Sequence, residues 1–317
     1  MAAGMLWEAA AGSRIDGVCA QGGLVAVATS ELDGDFWRGA VDFFNLGPAQ
    51  GASGPCALEH RARWAAPSGA AAACWVDGAS LAVATDAGDV VIVSAAGEET
   101  ARLEAHDSGV SCVAASANGS LASGAADAGI KLWDLSLPNA VAELAGHAGA
   151  ITALDWAPDG ALLSASRDRT VRTWDVRAGA AHTHCIEAAR PVVACRWAPG
   201  AEGGAILCGL DDGTVGTWDV RRPGEPIEAL RSGTAAWRHA GAASAVAVFD
   251  GGVASGGDDG VLALWGAEKS QRLAAPRLIK AAHSDYIRGI AIVEIGGANV
   301  VLTGGWDGRL VGYACEF

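Results

Sequence analysis

The sequence predicts an all-β fold built from seven repeated units, and three observations lead to this conclusion. Glycine accounts for 44 of the 317 residues, about twice the usual share, so the chain turns often. Hydrophobic residues make up 51% and charged residues 18% of the chain, a composition that supports a large core and excludes a disordered chain. A short apolar stretch, often ending in Trp-Asp, recurs at intervals of 41 to 48 residues.

The recurring stretch divides the chain into seven units. Three copies end in Trp-Asp, namely Ile130–Asp134, Val171–Asp175 and Val215–Asp219. With the tryptophan position as the marker, the seven copies fall at positions 44, 92, 133, 174, 218, 265 and 313. Further apolar stretches and Asp-Gly pairs, which supply the positive φ that tight hairpins need, predict four antiparallel strands in each unit.

Units of this kind resemble the repeats of the WD-repeat family. The unit of His147 shows the resemblance best, because Gly146-His147 precedes its first strand and Trp174-Asp175 ends its third. The resemblance implies a seven-bladed WD-repeat β-propeller, and we expect residues 1–317 to form it as a single domain. The last marker, Tyr313, leaves only four residues for the outer strand of the seventh blade. We therefore expect residues 1–12 to supply that strand and to close the ring.

Charge and cysteine content restrict the partners and the compartment. Lys and Arg total 22 against 36 for Asp and Glu, and the formal charge of −14 disfavours general nucleic-acid binding and favours basic partners. The eight cysteines form no C-x-x-C pair and lie among apolar neighbours, which indicates a reducing, intracellular compartment. A basic leader and a run of about 18 apolar residues are both missing, so we expect neither a signal peptide nor a membrane span.

A histidine, a hydroxyl residue, an aspartate and an aromatic residue recur at matching offsets in three units. The sets are His106, Ser123, Asp127 and Trp133; His147, Ser164, Asp168 and Trp174; and His283, Thr303, Asp307 and Tyr313. A catalytic triad is needed only once, so the repetition argues for a structural role. The family resemblance implies a hydrogen-bonded tetrad that ties the loop before the first strand to the sheet.

The sequence gives no sign of catalysis or of a cofactor. Phosphate-binding glycine motifs, H-E-x-x-H and G-x-S-x-G are missing, so we predict a protein that is not an enzyme and needs no cofactor. His182, His184 and Cys185 are potential metal ligands within four residues, but no complementary pair follows at metal-site spacing. We interpret this segment as a surface loop and predict no metal site.

The segment Ser164–Arg177 ends in W-D-x-R, at Trp174–Arg177, and Trp218–Arg221 repeats this ending. This ending resembles the box through which some WD-repeat proteins bind the adaptor of a cullin-type ubiquitin ligase. Blade structure by itself fixes most of these positions. A ubiquitin-ligase substrate receptor is therefore the alternative function.

The first unit differs from the others by an insertion of about five residues, if Thr29 corresponds to Ser123. The inserted segment, 30–39, contains Phe36, Trp37 and Arg38. We predict that these residues form a partner-binding loop at one end of the propeller.

The chain also resembles, in the first unit and in two later stretches, the methylosome type of WD-repeat subunit, the kind that accompanies the symmetric protein-arginine methyltransferase. The resemblance lies in Trp37-x-Gly39 within the lengthened turn, in Ala105–Ser111, and in Ala282–Arg288 followed by Gly305–Gly308. It implies a scaffold that binds a protein arginine methyltransferase and presents Arg-rich substrates such as histone or Sm-type proteins. It also implies that Trp37 faces the enzyme, and that the protein is cytoplasmic and nuclear.

Overall fold

The structure of the protein is a computed structural model. The described residues are 5–33, 36–47, 57–137, 139–177, 182–198, 204–221, 237–249, 251–266, 276–280, 282–295 and 297–315. They form twenty-seven β-strands. None of these ranges contains a helix able to cross a membrane.

The strands form seven antiparallel sheets, the blades. Blade 1 comprises β2 (Arg14–Gln21), β3 (Leu24–Asp33), β4 (Phe36–Gly47) and β5 (Ala57–Ala66). Blade 2 comprises β6 (Ala70–Trp75), β7 (Ser80–Thr85), β8 (Asp89–Ser94) and β9 (Glu99–Glu104). Blade 3 comprises β10 (Val110–Ala115), β11 (Ser120–Ala125), β12 (Ile130–Asp134) and β13 (Ala142–Leu144). Blade 4 comprises β14 (Ile151–Trp156), β15 (Ala161–Ser166), β16 (Thr170–Asp175) and β17 (His182–Glu187).

The other three blades follow the same order. Blade 5 has three described strands, β18 (Val192–Trp197), β19 (Ala205–Leu210) and β20 (Val215–Asp219). Blade 6 comprises β21 (Ala245–Phe249), β22 (Gly252–Gly256), β23 (Leu262–Gly266) and β24 (Arg277–Ile279). Blade 7 comprises β25 (Ile287–Ile295), β26 (Ala298–Gly305), β27 (Arg309–Cys315) and, as its outer strand, β1 (Met5–Ala10). The prediction of an all-β, seven-bladed propeller is confirmed.

Strand β1 closes the ring by pairing antiparallel with β27, so that Glu8 lies opposite Val311. The Trp7 ring packs over Gly312, where a Cβ atom would lie 2.6 Å from Trp7 Cε2. Arg309 donates two hydrogen bonds, of 2.6 and 2.8 Å, to the Glu8 carboxylate. The expected closure by the N-terminal segment is therefore confirmed, and it covers the edge that β27 would otherwise expose.

The core consists of seven apolar clusters, each formed between neighbouring blades. Between blades 1 and 2, for example, Val41 and Phe43 pack with Leu81 and Val83, and all four side chains are buried. Alternation along the second and third strands places one apolar face against each neighbour. The first strands of the blades lie side by side around a central channel.

The chain runs through the strands of every blade in the same order and direction, so the two ends of the propeller are formed by different loops. The loops that lead into the first strands and the turns between the second and third strands lie at one end, which we call the upper face. The turns between the third and fourth strands lie at the opposite end, the lower face. Two sequence predictions are wrong. The segment containing His182, His184 and Cys185 lies in strand β17 instead of a surface loop. The described residues of the insertion, 30–33 and 36–39, lie in strands β3 and β4 instead of a loop.

Candidate functional site

The structure brings the members of the predicted tetrads together on the upper face. In blade 3, the two ring nitrogens of His106 lie 3.1 Å from Asp127 and 2.9 Å from Ser123 Oγ. In blade 4, the corresponding distances from His147 are 2.9 Å to Asp168 and 2.7 Å to Ser164. The indoles of Trp133 and Trp174 each donate a 2.9 Å hydrogen bond to the serine of their set.

The third predicted set differs from the first two in its aromatic member. His283 lies 2.8 Å from Asp307 and 2.9 Å from Thr303. The Tyr313 hydroxyl instead donates to the Ala282 carbonyl over 3.4 Å. A phenol at this place thus ties β27 to the loop before the first strand rather than to Thr303.

Blade 6 carries a fourth set that the sequence analysis missed. His239 lies 2.9 Å from Asp259 and 2.7 Å from Ser255, and its ring contacts Trp237 edge to face at 4.7 Å. Sixteen positions separate His239 from Ser255, whereas seventeen separate His106 from Ser123. A search that allowed one residue less between the histidine and the serine would have found it.

The electrostatics favour a neutral histidine in the sets of blades 3 and 6, and an ionised aspartate in the sets of blades 4, 6 and 7. Burial lowers the pKa of His106 and of His239, against the opposing charge of their aspartates. Burial alone would raise the pKa of Asp168, but hydrogen bonds from the Ala148 amide, Thr170 and His147 outweigh it and hold that pKa well below its usual range. Each set therefore fixes the loop before the first strand, a structural task that needs no reacting substrate.

Blades 1, 2 and 5 hold apolar or thiol side chains where the serine stands in blade 3. Strand register places Val27, Val83 and Cys208 at the position of Ser123. The assumed correspondence of Thr29 to Ser123 is therefore wrong by two residues. The marker of the second unit, predicted at position 92, is also off by one residue. Val93 lies opposite Leu81, as Trp133 lies opposite Leu121 in blade 3.

The segment predicted as an inserted loop is an extension of the β3–β4 hairpin. Thirteen positions separate the paired residues Ala28 and Val41, but only six separate Gly124 from Ile130 in blade 3. The hairpin of blade 1 is therefore seven residues longer, and it stays paired as far as Asp33 opposite Phe36. It projects from the upper face as a two-stranded ribbon.

One face of this ribbon is apolar and exposed. Leu32 lies opposite Trp37, and the two residues are 56% and 44% exposed. On the other face, Arg38 forms a 3.1 Å ion pair with Asp33. Gly39 lies at the base of the ribbon, where a Cβ atom would lie 2.5 Å from the Ala70 nitrogen, so the ribbon leans closely on the loop before blade 2.

The two W-D-x-R segments lie on the lower face. Arg177 has a side chain that is 78% exposed and lies 3.8 Å from Asp175. The backbone amides of both arginines donate to the aspartate two positions earlier, but only the Arg221 guanidinium is held closely, by 2.9 Å hydrogen bonds to both oxygens of Asp219. The two arginines are thus presented differently, although their sequence context is the same.

The described ranges contain neither a group of residues able to hold a metal ion nor a disulfide bond. No group of three or more His, Cys, Asp or Glu side chains in them could hold a metal ion. All seven described cysteines are free. Burial raises the pKa of Cys74 and of Cys112 to about 12, which leaves these thiols protonated and unreactive at neutral pH.

Comparison with known protein families supports the propeller assignment. The model described as WD domain, G-beta repeat, matches the chain twice, over residues 97–134 and 138–175. Each match spans the outer strand of one blade and the first three strands of the next. No curated protein matches the chain. The matched repeats and the seven blades together support a protein of the WD-repeat family, whose propellers are generally non-catalytic scaffolds or adaptors for protein–protein interaction.

Proposed function

We propose that this chain is a non-catalytic scaffold subunit that binds a protein arginine methyltransferase and presents Arg-rich substrates, such as histone or Sm-type proteins, to it. Its sequence resembles that of methylosome protein 50 in the first blade. The observation that carries the proposal is the exposed Leu32–Trp37 pair on the extended hairpin. The same resemblance leads us to propose a protein that is cytoplasmic and nuclear.

The ribbon has the properties of a docking element. The pairing of β2 with β3 ends at Ser30, and that of β4 with β5 ends at Gly39. Beyond these residues both edges of the ribbon are unpaired within the described residues. Such a ribbon is marginal in water, and a leucine and a tryptophan exposed on it lower their free energy when a partner covers them.

Charge supports the choice of partner. The chain carries a formal charge of −14, and Glu31 and Asp33, both exposed, flank Leu32 on the ribbon. An apolar partner surface rimmed by arginine or lysine would complement this arrangement. A partner's guanidinium can also stack on the Trp37 indole, since Trp is the best aromatic acceptor of a cation–π contact.

Substitution of Trp37 tests the proposal. Trp37→Ala should weaken binding to the arginine methyltransferase about thirtyfold, because the loss of an aromatic anchor costs about 2 kcal/mol or more. Leu137→Ala is the matched control, since Leu137 is 49% exposed but lies on the lower face. Surface plasmon resonance with the purified enzyme measures both affinities.

Thermal unfolding separates an interface role from a packing role. Both variants should melt within about 1 °C of the wild type, because neither residue is in the core. If Trp37→Ala unfolds the protein, or if it binds the enzyme as tightly as Leu137→Ala does, the proposed interface is wrong.

A second function, substrate receptor of a cullin-type ubiquitin ligase, is favoured by the exposure of Arg177 on the lower face. Affinity purification of the chain from its native source distinguishes the two. Recovery of a methyltransferase supports the scaffold. Recovery of a cullin adaptor that is lost in Arg177→Ala, without a methyltransferase, supports the receptor.

A further inference from the structure

The upper mouth of the central channel differs from blade to blade. The channel encloses about 450 Å³. Blades 3 and 4 contribute small residues to it, such as Ser111 and Thr152. Blades 7, 1 and 2 contribute large or charged side chains, among them Arg288, Trp306 and Asp86. Chemical selectivity at the mouth therefore lies on the side of blades 7, 1 and 2.

Trp306 is held rigidly at this mouth. Its indole donates a 2.9 Å hydrogen bond to Asp16, and the Ser30 hydroxyl donates to the other oxygen of the same carboxylate. Its ring lies 5.2 Å from the Tyr286 ring, and Tyr286 is 38% exposed. The structure thus presents two aromatic rings in fixed orientation at the surface.

Two guanidinium groups already contact Trp306, and they are held very differently. Arg288 lies 4.7 Å from the ring centroid and is anchored by Ser244 at 3.3 Å and Asp258 at 3.7 Å. Arg14 lies 5.0 Å from the centroid and is exposed. Across the described ranges, the Arg14 guanidinium has no ion pair or hydrogen bond, so the ring is its one described attachment. Trp306 therefore accepts a guanidinium, and the one supplied by Arg14 is loosely held.

One carboxylate at the same mouth, that of Asp86, has no described partner. Asp86 lines the channel, is exposed, and its carboxylate has no partner in the part of the chain that the structure describes. Partial burial raises the pKa of Asp86. Burial also raises the pKa of Asp16, and the nearby charge of Asp86 adds to this effect, although hydrogen bonds from Ser30 and Trp306 and the charge of Arg288 oppose it. A cation that entered between these two carboxylates would stabilise the ionised form of both.

We infer that the upper mouth of the channel binds an arginine side chain from an extended basic segment of a partner protein, and that Arg14 occupies the Trp306 ring until that side chain arrives. The incoming guanidinium stacks on Trp306 in place of Arg14 and pairs with Asp86. A planar guanidinium can do both at once, whereas an ammonium group stacks less well. The inference rests on the proposed function for the kind of partner, an Arg-rich substrate.

The position of this site suits substrate presentation. Ser30, which bonds Asp16, is also the base of the exposed ribbon. Leu32 is two residues further along β3, or about 7 Å at the rise of a strand. An enzyme docked on the ribbon would therefore lie beside a segment held at the mouth.

Peptide binding by the isolated propeller tests the inference. The probe is a fluorescein-labelled peptide of alternating Gly and Arg with five arginines, and fluorescence anisotropy measures its affinity. Asp86→Asn should weaken binding about fivefold. Asp211→Asn, the matched control, should change it less than about twofold, because Asp211 occupies the same turn position in blade 5 but does not line the channel. Arg14→Ala should strengthen binding about two- to fivefold, since it removes the competing guanidinium.

Several outcomes would overturn the inference. They are a lack of saturable binding, equal losses in Asp86→Asn and Asp211→Asn, weaker binding in Arg14→Ala, or equal affinity for a peptide with lysine in place of arginine. The assay contains no methyltransferase. A failure of Trp37-dependent enzyme binding would therefore overturn the proposed function alone, and a failure here would overturn the channel-mouth site alone.

Discussion

A matched pair of tryptophans can measure what one tetrad hydrogen bond contributes to stability. Trp174 and Trp218 occupy the same position in blades 4 and 5, opposite Leu162 and Ile206, and both are buried. The Trp174 indole donates a 2.9 Å hydrogen bond to Ser164. The Trp218 indole nitrogen is buried without a hydrogen-bond partner among the described residues.

Substitution by phenylalanine should affect the two positions differently. Both changes remove the same atoms, so the packing losses largely cancel in the comparison. Trp174→Phe also loses a hydrogen bond worth about 0.5–1.5 kcal/mol, whereas Trp218→Phe removes an unsatisfied buried donor that costs about 1–3 kcal/mol. Trp174→Phe should therefore be less stable than Trp218→Phe by about 1.5–4.5 kcal/mol.

Differential scanning calorimetry of the two variants provides the test. At about 2 °C per kcal/mol for a chain of this size, the melting temperature of Trp174→Phe should be at least about 3 °C below that of Trp218→Phe. Alanine at either position should cost about 3–5 kcal/mol, because it leaves a cavity. Equal melting temperatures for the two phenylalanine variants, or a lower one for Trp218→Phe, would refute the reasoning.

Two further predictions concern ring closure and pH. Deletion of residues 1–12 should lower the melting temperature or cause aggregation, because it exposes the edge of β27 and removes Trp7 from Gly312. An unchanged melting temperature and a monodisperse monomer would contradict this prediction. Burial lowers the pKa of His239, so below about pH 6.5 the unfolded chain binds a proton that the folded chain does not. The free energy of unfolding therefore decreases as the pH is lowered through this range. His239→Gln should therefore lose less melting temperature than the wild type between about pH 7.5 and about pH 5.5, and equal losses would argue against a buried neutral histidine.

The sequence predicts the repeated architecture well because its signals are local and repeated. Trp-Asp at the end of a third strand and Asp-Gly in tight turns recur often enough to fix the number of blades. Register is less well determined where no aromatic residue marks it. The marker of the second unit is off by one because Val90–Val93 is uniformly aliphatic, so no residue type distinguishes position 92 from position 93.

The extended hairpin was predicted as a loop although its sequence contains the signals of strands. Leu32 and Trp37 alternate with the charged residues Glu31, Asp33 and Arg38, and Asp33 is followed by glycine. Alternation on both sides of an Asp-Gly pair is typical of a hairpin. The channel mouth could not be predicted in this way, because Asp16, Asp86 and Trp306 come from three blades and meet only after the ring has closed.

Ring closure can occur only late in the synthesis of the protein. Glu8 and its partner Arg309 lie 301 positions apart, so strand β1 leaves the ribosome long before its partner strand exists. At about 5–20 residues per second, this interval lasts about 15–60 seconds. During that time the nascent chain carries an unpaired strand with an exposed tryptophan. The blades that have already folded form an incomplete ring. Slower translation would lengthen this exposure without changing the final structure, so the yield of folded protein should depend on the rate of synthesis and on the chaperones that shield β1.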